Sequence, residues 1–382
     1  MDPVLRLLRD LVAINSVNPT LVPGAPGEQE VADLIAVEMR RAGLGVTVEL
    51  VAPGRPNVIG VLEGRAAGRS LMLCGHTDTV GVTGMTHPFT PIEREGRLYG
   101  RGAQDMKSGV AAMIDAARSI AKDGGLAAGR LIVAAVVDEE HSSIGADALV
   151  KAWSADAAVV TEPTDLAIAV GHKGFAWVEV GVRGLAAHGS RPKEGEDAIL
   201  RMGRVLMHLE ALDRALQARP PHPMLGTGSL HASTIEGGRE LSSYPDYARL
   251  QMERRTLPGE AESAAIEEVQ SILEGLRIAD PMFRGSARAM FSRPAYELSR
   301  DHELPRALAA AVARIGAVPH LTGASFWTDA AVLGQAGIPS VLFGPGGAGL
   351  HSADEYVIAS DVLACRNALI ELARDYCDAG DR

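Results

Sequence analysis

The sequence predicts an α/β protein in which helices flank a mostly parallel or mixed sheet, with a ferredoxin-like α+β domain inserted into it. Three observations carry this. Short, near-continuous apolar runs such as 131–137 alternate with helix-length segments over residues 31–160, and the texture returns over 303–376. Strands that are apolar at nearly every position are buried on both faces, as in a helix-covered sheet. The middle of the chain instead alternates apolar and polar residues in strands ordered β-α-β-β-α-β, the order of a ferredoxin-like sandwich. Finally, 382 residues that are 47% hydrophobic and 22% charged suit one large or two medium domains, and exclude disordered and small disulfide-stapled classes.

The elements follow in order. Leu5, Leu8 and Val12 form an apolar stripe broken by Asp2, Arg6, Arg9 and Asp10, which reads as a soluble amphipathic helix rather than a targeting segment. A helix over 28–42 precedes strands at 46–51, 58–62 and 70–74; a helix over 107–121 is followed by strands at 131–137 and 157–160. In the insert, strands are expected at 175–182, 229–235, 247–254 and 286–291. Its helices are expected over 196–216, with Ile199, Met202, Leu206, Leu209 and Leu216 on one face, and over 260–276. A helix at 303–315, a strand at 340–343 and a helix at 360–376 complete the flanking domain. The expected boundaries are 1–173 with 294–382 for the outer domain and 174–293 for the insert.

The formal charge of −11 argues against general affinity for nucleic acid or an anionic membrane. Cys74, Cys365 and Cys377 are too few and too scattered for a disulfide framework or a thiolate zinc site, which fits a reducing compartment. The longest aliphatic run, 131–137, is too short to span a bilayer. A cytoplasmic enzyme is the expectation.

Five segments concentrate chemistry. His76 and Asp78 lie two apart at a strand end and share a face, so the acid is placed to orient a metal-bound imidazole; a plain strand-end histidine and turn aspartate is the competing reading. Asp105 sits among glycines before a helix, as a cation ligand or as an N-cap. Glu139 and Glu140 end a buried strand and their side chains diverge, so one can hold a cation while its neighbour, its pKa raised by burial and like charge, serves as general base. A solvated acidic turn competes. Glu162 follows the apolar strand 157–160, and His351 follows the glycine-rich stretch 344–349, whose spacing is neither a P-loop nor a dinucleotide fingerprint. Two histidines and several carboxylates at strand ends of one sheet are the donor set of two borderline-hard cations. Without cysteine ligands they suit an open catalytic site that activates water.

In GHTDTV (75–80), GRGAQDMKSG (100–109), DEE (138–140), TEPT (161–164), GHKG (171–174), GLAAHGSRPKEG (184–195), ERRTLPGE (253–260) and FGPGG with LHSADEYV (343–357), the chain resembles the dizinc amidohydrolase and exopeptidase family. That family includes acetylornithine deacetylase, succinyl-diaminopimelate desuccinylase, aminoacylase and the glutamate carboxypeptidases. The resemblance implies a zinc-peptidase-like catalytic domain in which His76 and Glu162 hold one cation, Glu140 and His351 the other, and Asp105 bridges them. It implies Glu139 as the base, Asp78 as the group orienting His76, and a cis peptide bond after Asp105. The insert becomes a lid and dimerisation domain, with His188 polarising the scissile carbonyl across a homodimer and Arg255 clamping the substrate carboxylate, which a planar guanidinium does by paired bonds. Ser242 and Gly346 join the substrate-binding set.

Three positions depart from the family pattern: Ser242 stands where relatives have asparagine, Phe326-Trp327 where relatives often have Gly-Thr, and Asp197 where an asparagine is usual. The implied activity is hydrolysis of an amide in N-acyl amino acids by two divalent ions, zinc in the first place, with cobalt or manganese sharing the same donors. A dipeptidase or glutamate-type carboxypeptidase of the same mechanism is the alternative. A catalytically silent sensor is a remote one, whose signature would be a missing base or ligand; none is missing.

Overall fold

The computed structural model describes residues 2–378. The chain forms two compact units, one of Met1–Val170, Leu298–Gly323 and Thr328–Arg382, the other of Gly171–Glu297 with Ala324–Trp327.

The first unit is built on a mixed sheet in the order Gly45–Ala52, Arg55–Glu63, Arg130–Val136, Ser70–His76, Ala157–Val160, Ser340–Leu342 and Ile168–His172, the last strand running on into the second unit. Ser70–His76 lies parallel to both Arg130–Val136 and Ala157–Val160, which in turn is parallel to Ser340–Leu342. These strands are buried at nearly every position because helices cover the sheet. Ser108–Lys122 packs beside Pro3–Val12 and Ala359–Asp378 and is buried along almost its whole first three turns. The parallel registers bring the carboxyl ends of four strands together: His76 pairs with Val136, and Val160 with both Cys74 and Leu342. Ligands in such sheets bind at those ends.

The second unit pairs its strands in the order Ser229–Gly237, Tyr247–Thr256, Gly174–Arg183 and Arg284–Arg293, all antiparallel, with helices Ala198–Gln217 and Ala264–Ala279 against one face. Its core interleaves Val178, Val180, Val182, Leu250 and Met252 with Met202, Val205, Leu209, Val269 and Leu273. The opposite face carries Phe175, Trp177 and Phe291 in mutual ring contact, with Trp327 edge-on to Phe175.

Several sequence expectations shift. The strand Gly45–Ala52 is a half-exposed sheet edge, not a buried strand, because only Arg55–Glu63 pairs with it. Ile199 does not join the buried stripe; it is 44% exposed and Val205 takes its place in the core. The second helix of the insert starts at Ala264 rather than 260. Helix Ile144–Ala152 and the short strands Ile92–Arg94, Arg97–Tyr99, Gly347–Ala348 and Tyr356–Ile358 have no counterpart in the periodicity reading. The four strands make a small sheet of their own, each of at most three residues, too short for a period to register. Asp197 accepts a hydrogen bond from Leu200 N and is the N-cap of its helix. All three cysteines are free and buried.

Candidate metal centre

His76 ends its strand and turns its ring into the space above the sheet. Its Nδ1 lies 3.0 Å from the main-chain carbonyl of Asp78. A carbonyl only accepts, so Nδ1 carries a proton and Nε2 is the ring atom left to meet the site. Nε2 faces carboxylates: Asp105 Oδ1 at 3.1 Å, Glu162 Oε1 at 3.9 Å and Glu139 Oε2 at 4.0 Å. On the other side of Asp105, Oδ2 lies 3.3 Å from His351 Nε2, which is also 3.2 Å from Glu140 Oε2. Asp105 thus turns one oxygen to each imidazole, with Glu162 beside the first and Glu140 beside the second. By distance Glu139 belongs to the His76 group as much as Glu162 does.

Carboxylates buried this close together repel unless positive charge lies among them. Glu140 Oε1 and Glu162 Oε1 are buried with no hydrogen-bond partner. Burial, compounded by neighbouring carboxylates, pushes Glu139 and Glu162 well above the ordinary range. Burial and the charge of Asp105 push Glu140 up to about 7. Burial opposes protonation of His76, yet its bond to Asp105 and the charge of Glu162 hold the imidazole well above its usual value. Bonds to Asp105 and Glu140 raise His351 to about 10. Burial alone would raise Asp105, but the bonds from His351 and His76 carry it below the usual carboxylate range. Four carboxylates against two imidazoles leave an excess of negative charge that divalent cations would neutralise, and the donors are the nitrogen and oxygen types such cations take. The residues fit the group.

The Asp78 carboxylate stands 3.6 Å from His76 Nδ1, and its main-chain carbonyl is nearer, at 3.0 Å. The carboxylate accepts from Glu139 N, Glu140 N and Asn18 Nδ2, so it holds the turn that carries the two glutamates. Asp105 is not an N-cap: it lies in the non-helical turn before Ser108–Lys122, and the peptide bond to Met106 is cis.

The remaining expected site residues have local partners within their own units. Gly346 is buried, and a Cβ there would meet Asp165 Oδ1 at 2.6 Å and Asp361 Oδ2 at 2.7 Å, so a larger residue would have to displace these two carboxylates. In the second unit His188 is exposed and its Nδ1 accepts from Ser190 N. Ser242, also exposed, takes Gly189 N on its carbonyl. Arg255 donates Nε to Glu253 and stacks over Phe175. Trp327 is 8% exposed and packs on His172 and Phe175; its indole donates to Pro294 O, so that aromatic is a core residue of its unit.

Sequence reasoning missed a supporting layer. Asn18 Nδ2 donates to both Asp78 and Asp138, Arg55 pairs with Glu28 and Asp138, and Arg101 pairs with Glu355. Arg101 and Glu355 lie inside motif stretches and were within reach of it. Asn18, Glu28 and Arg55 are far from any motif and carry no local signal.

A profile of Peptidase family M20/M25/M40 matches residues 72–375. The chain belongs to this family. It is similar to an acetylornithine deacetylase of Myxococcus xanthus, 31% identical over 394 residues that cover 98% of each chain. A deformylase of N-formyl-4-amino-5-aminomethyl-2-methylpyrimidine from Bacillus subtilis is 27% identical over 409 residues, covering 98% of this chain and 95% of the other. Among solved structures, a dinuclear metal-binding peptidase of the M20 family from Bacillus subtilis matches with a TM-score of 0.76 at 18% identity over 98% of each chain. As an M20 family member the protein is a hydrolase acting on amide bonds. No helix among the described residues is long and apolar enough to cross a membrane.

Proposed function

We propose that the protein hydrolyses the amide of N-acyl amino acids using two divalent cations, zinc first among the candidates. The observation that carries this is the split of Asp105, one oxygen to the His76 side and one to the His351 side. His76 with Glu162 would hold one cation, Glu140 with His351 the other, and Asp105 both. The chemistry such a pair supplies when bound is a water acidified near neutral pH and charge stabilisation at the carbonyl oxygen.

The protein's own groups do the rest. Glu139 has a raised pKa and is nearly buried, with 11% of its side chain exposed, so it can take a proton on its carboxylate and release it to the departing nitrogen. Asp78 fixes the backbone of Glu139 and Glu140, and through its carbonyl the tautomer of His76. His188 Nδ1 lies 2.8 Å from Ser190 Oγ and accepts from Ser190 N at 3.2 Å, which leaves its Nε2–H as the group to donate to a carbonyl oxygen. Arg255 is assigned to the substrate carboxylate, and Ser242 and Gly346 to substrate contact or the shaping of the site.

We assign the inserted unit to lid and dimer contacts. Ile199, Leu200 and Met207 on its helix and Ile235 on its edge strand are 44–73% exposed, an apolar face and an open strand edge that a second copy would cover. Three free, buried cysteines support a cytoplasmic location. The deacylase reading draws on the TEPT and GHKG stretches and on the acetylornithine deacetylase relative.

Glu139→Gln with metal analysis tests the mechanism. The variant should retain two cations per chain and lose about 10²–10⁴-fold in kcat. Full turnover would refute the base, and loss of a cation would make Glu139 a ligand. Amine release from formyl, acetyl, succinyl and aromatic acyl amino acids and from dipeptides reads the substrate class; turnover of dipeptides alone would refute the deacylase reading.

A further inference from the structure

Glu355 and Arg101 form a buried charged pair beside the Asp105 loop, and neither is among the proposed ligands. Both are at most 2% exposed. Glu355 Oε2 accepts from Arg101 Nη1 at 2.5 Å and Gly102 N at 3.1 Å; Oε1 accepts from Gln104 N at 2.9 Å and Asp105 N at 3.1 Å. Arg101 sends Nη2 and Nε to Gly81 O at 2.9 and 3.2 Å, and Nη2 also to Ser352 O at 3.2 Å. The positive φ of Gly102 turns successive N–H groups inward, so the 102–105 loop forms an anion nest around one carboxylate.

The pair therefore joins three segments that all lead to the centre: the loop after His76 and Asp78 at Gly81, the turn bearing Asp105, and the loop bearing His351. Asp105 must be held in both position and rotation to offer its two oxygens to two imidazoles, and Glu355 grips its N–H. His351 is the more exposed imidazole, its side chain 54% exposed, and its φ of 59° is a left-handed conformation uncommon for a residue with a side chain. Its loop is anchored through Ser352 and Glu355. Bonds with an ionised partner are about twice as strong as neutral ones, so they set loop geometry firmly.

We propose that Glu355, with Arg101, is a positioning residue that sets the affinity of the Asp105, Glu140 and His351 half of the centre for its cation. This rests on the two-cation reading above. The alternative is a buried ion pair that stabilises the fold and nothing more.

Glu355→Gln keeps the volume but replaces one acceptor oxygen with an amide donor, so whichever way the amide turns, two donors lose their acceptor. The chelator-stripped full chain is titrated with Co²⁺ or Zn²⁺ alone, and melting temperature and kinetics are measured alongside. The parent should bind two equivalents. In the variant the first should bind nearly as in the parent and the second about 10–100-fold more weakly, with kcat reduced and KM little changed. Two equivalents bound with parental affinities, while only the melting temperature falls, would overturn the proposal. If Glu355→Gln yields no folded protein, Arg101→Lys decides by the same readout: it keeps the charge and the three backbone bonds to Glu355 but loses the ties to Gly81 and Ser352. It should weaken the second equivalent by a smaller factor, and parental affinities would refute the role. A parent that binds neither cation would instead sink the two-cation reading, and this inference with it.

Discussion

Gly109 is the place where one added methyl group should reach the centre. It lies at the start of helix Ser108–Lys122, and a Cβ there would sit 2.1 Å from Thr161 O, 2.7 Å from Thr161 Oγ1 and 2.8 Å from Thr161 Cβ. Ordinary contact requires about 1 Å more. Neither side can give way cheaply: the helix is buried, and Thr161 is tied by N and Oγ1 to Cys74 O in the neighbouring strand. Overpacking of this kind costs up to ~3 kcal/mol, and the better helix propensity of alanine returns ~1, so Gly109→Ala should lower stability by about 2 kcal/mol. Thr161 precedes Glu162 and Gly109 follows Asp105 by one turn, so a shift of about 1 Å separates two proposed ligands of one cation. A misplacement of that size can cost about 10²-fold in kcat/KM. Gly203 and Gly275 are internal controls, since both lie in helices with nothing within 4 Å of a built Cβ. Alanine there should stabilise by ~0.5–1 kcal/mol. Urea unfolding, cation titration and kinetics on the three variants measure the contrast. If Gly109→Ala matched Gly203→Ala in stability and kept parental kinetics, the close approach of helix and strand would not govern the centre.

Two further outcomes follow from the second unit. His172 is fully buried, and burial, opposed by the bond to Lys173 O, lowers its pKa from 6.5 to about 4. The unfolded chain therefore takes up this proton first as pH falls; the stabilisation is complete above pH 6.5 and is lost between 6.5 and 4, amounting to about 2 kcal/mol between pH 7 and 5. His172→Phe should lose correspondingly less over that interval in denaturant titrations, and an unchanged pH slope would refute the assignment. For Arg255, methyl-esterifying the carboxylate of the substrate should lower kcat/KM about 10–100-fold, mainly through KM, and Arg255→Ala should then treat acid and ester alike. A free-acid preference that survived in Arg255→Ala would place the clamp elsewhere.

The buried strands were legible because a strand covered on both faces must be apolar throughout, and 131–137 and 157–160 are. The edge strand Gly45–Ala52 alternates Val46, Val48 and Leu50 with Thr47 and Glu49, and its place at the sheet edge leaves Val48 46% and Leu50 70% exposed. Ile199 was misplaced for a related reason: helical period identifies a face, but whether its margin meets the sheet or solvent depends on where the helix docks.

At the centre, the chain itself determined which residues are available, because acids and histidines after apolar strands are placed by the strand ends and by little else. It also determined, through motif order, the chemistry those residues suit. Only the tertiary structure decided that Asp105 divides its oxygens between His76 and His351, that Asp78 turns its carbonyl rather than its carboxylate to the imidazole, and that Glu355 closes on the Asp105 loop from 250 residues away. Such contacts join segments remote in the chain and last only when each buried polar group finds its partner, a condition on the whole fold that no local pattern of residues records.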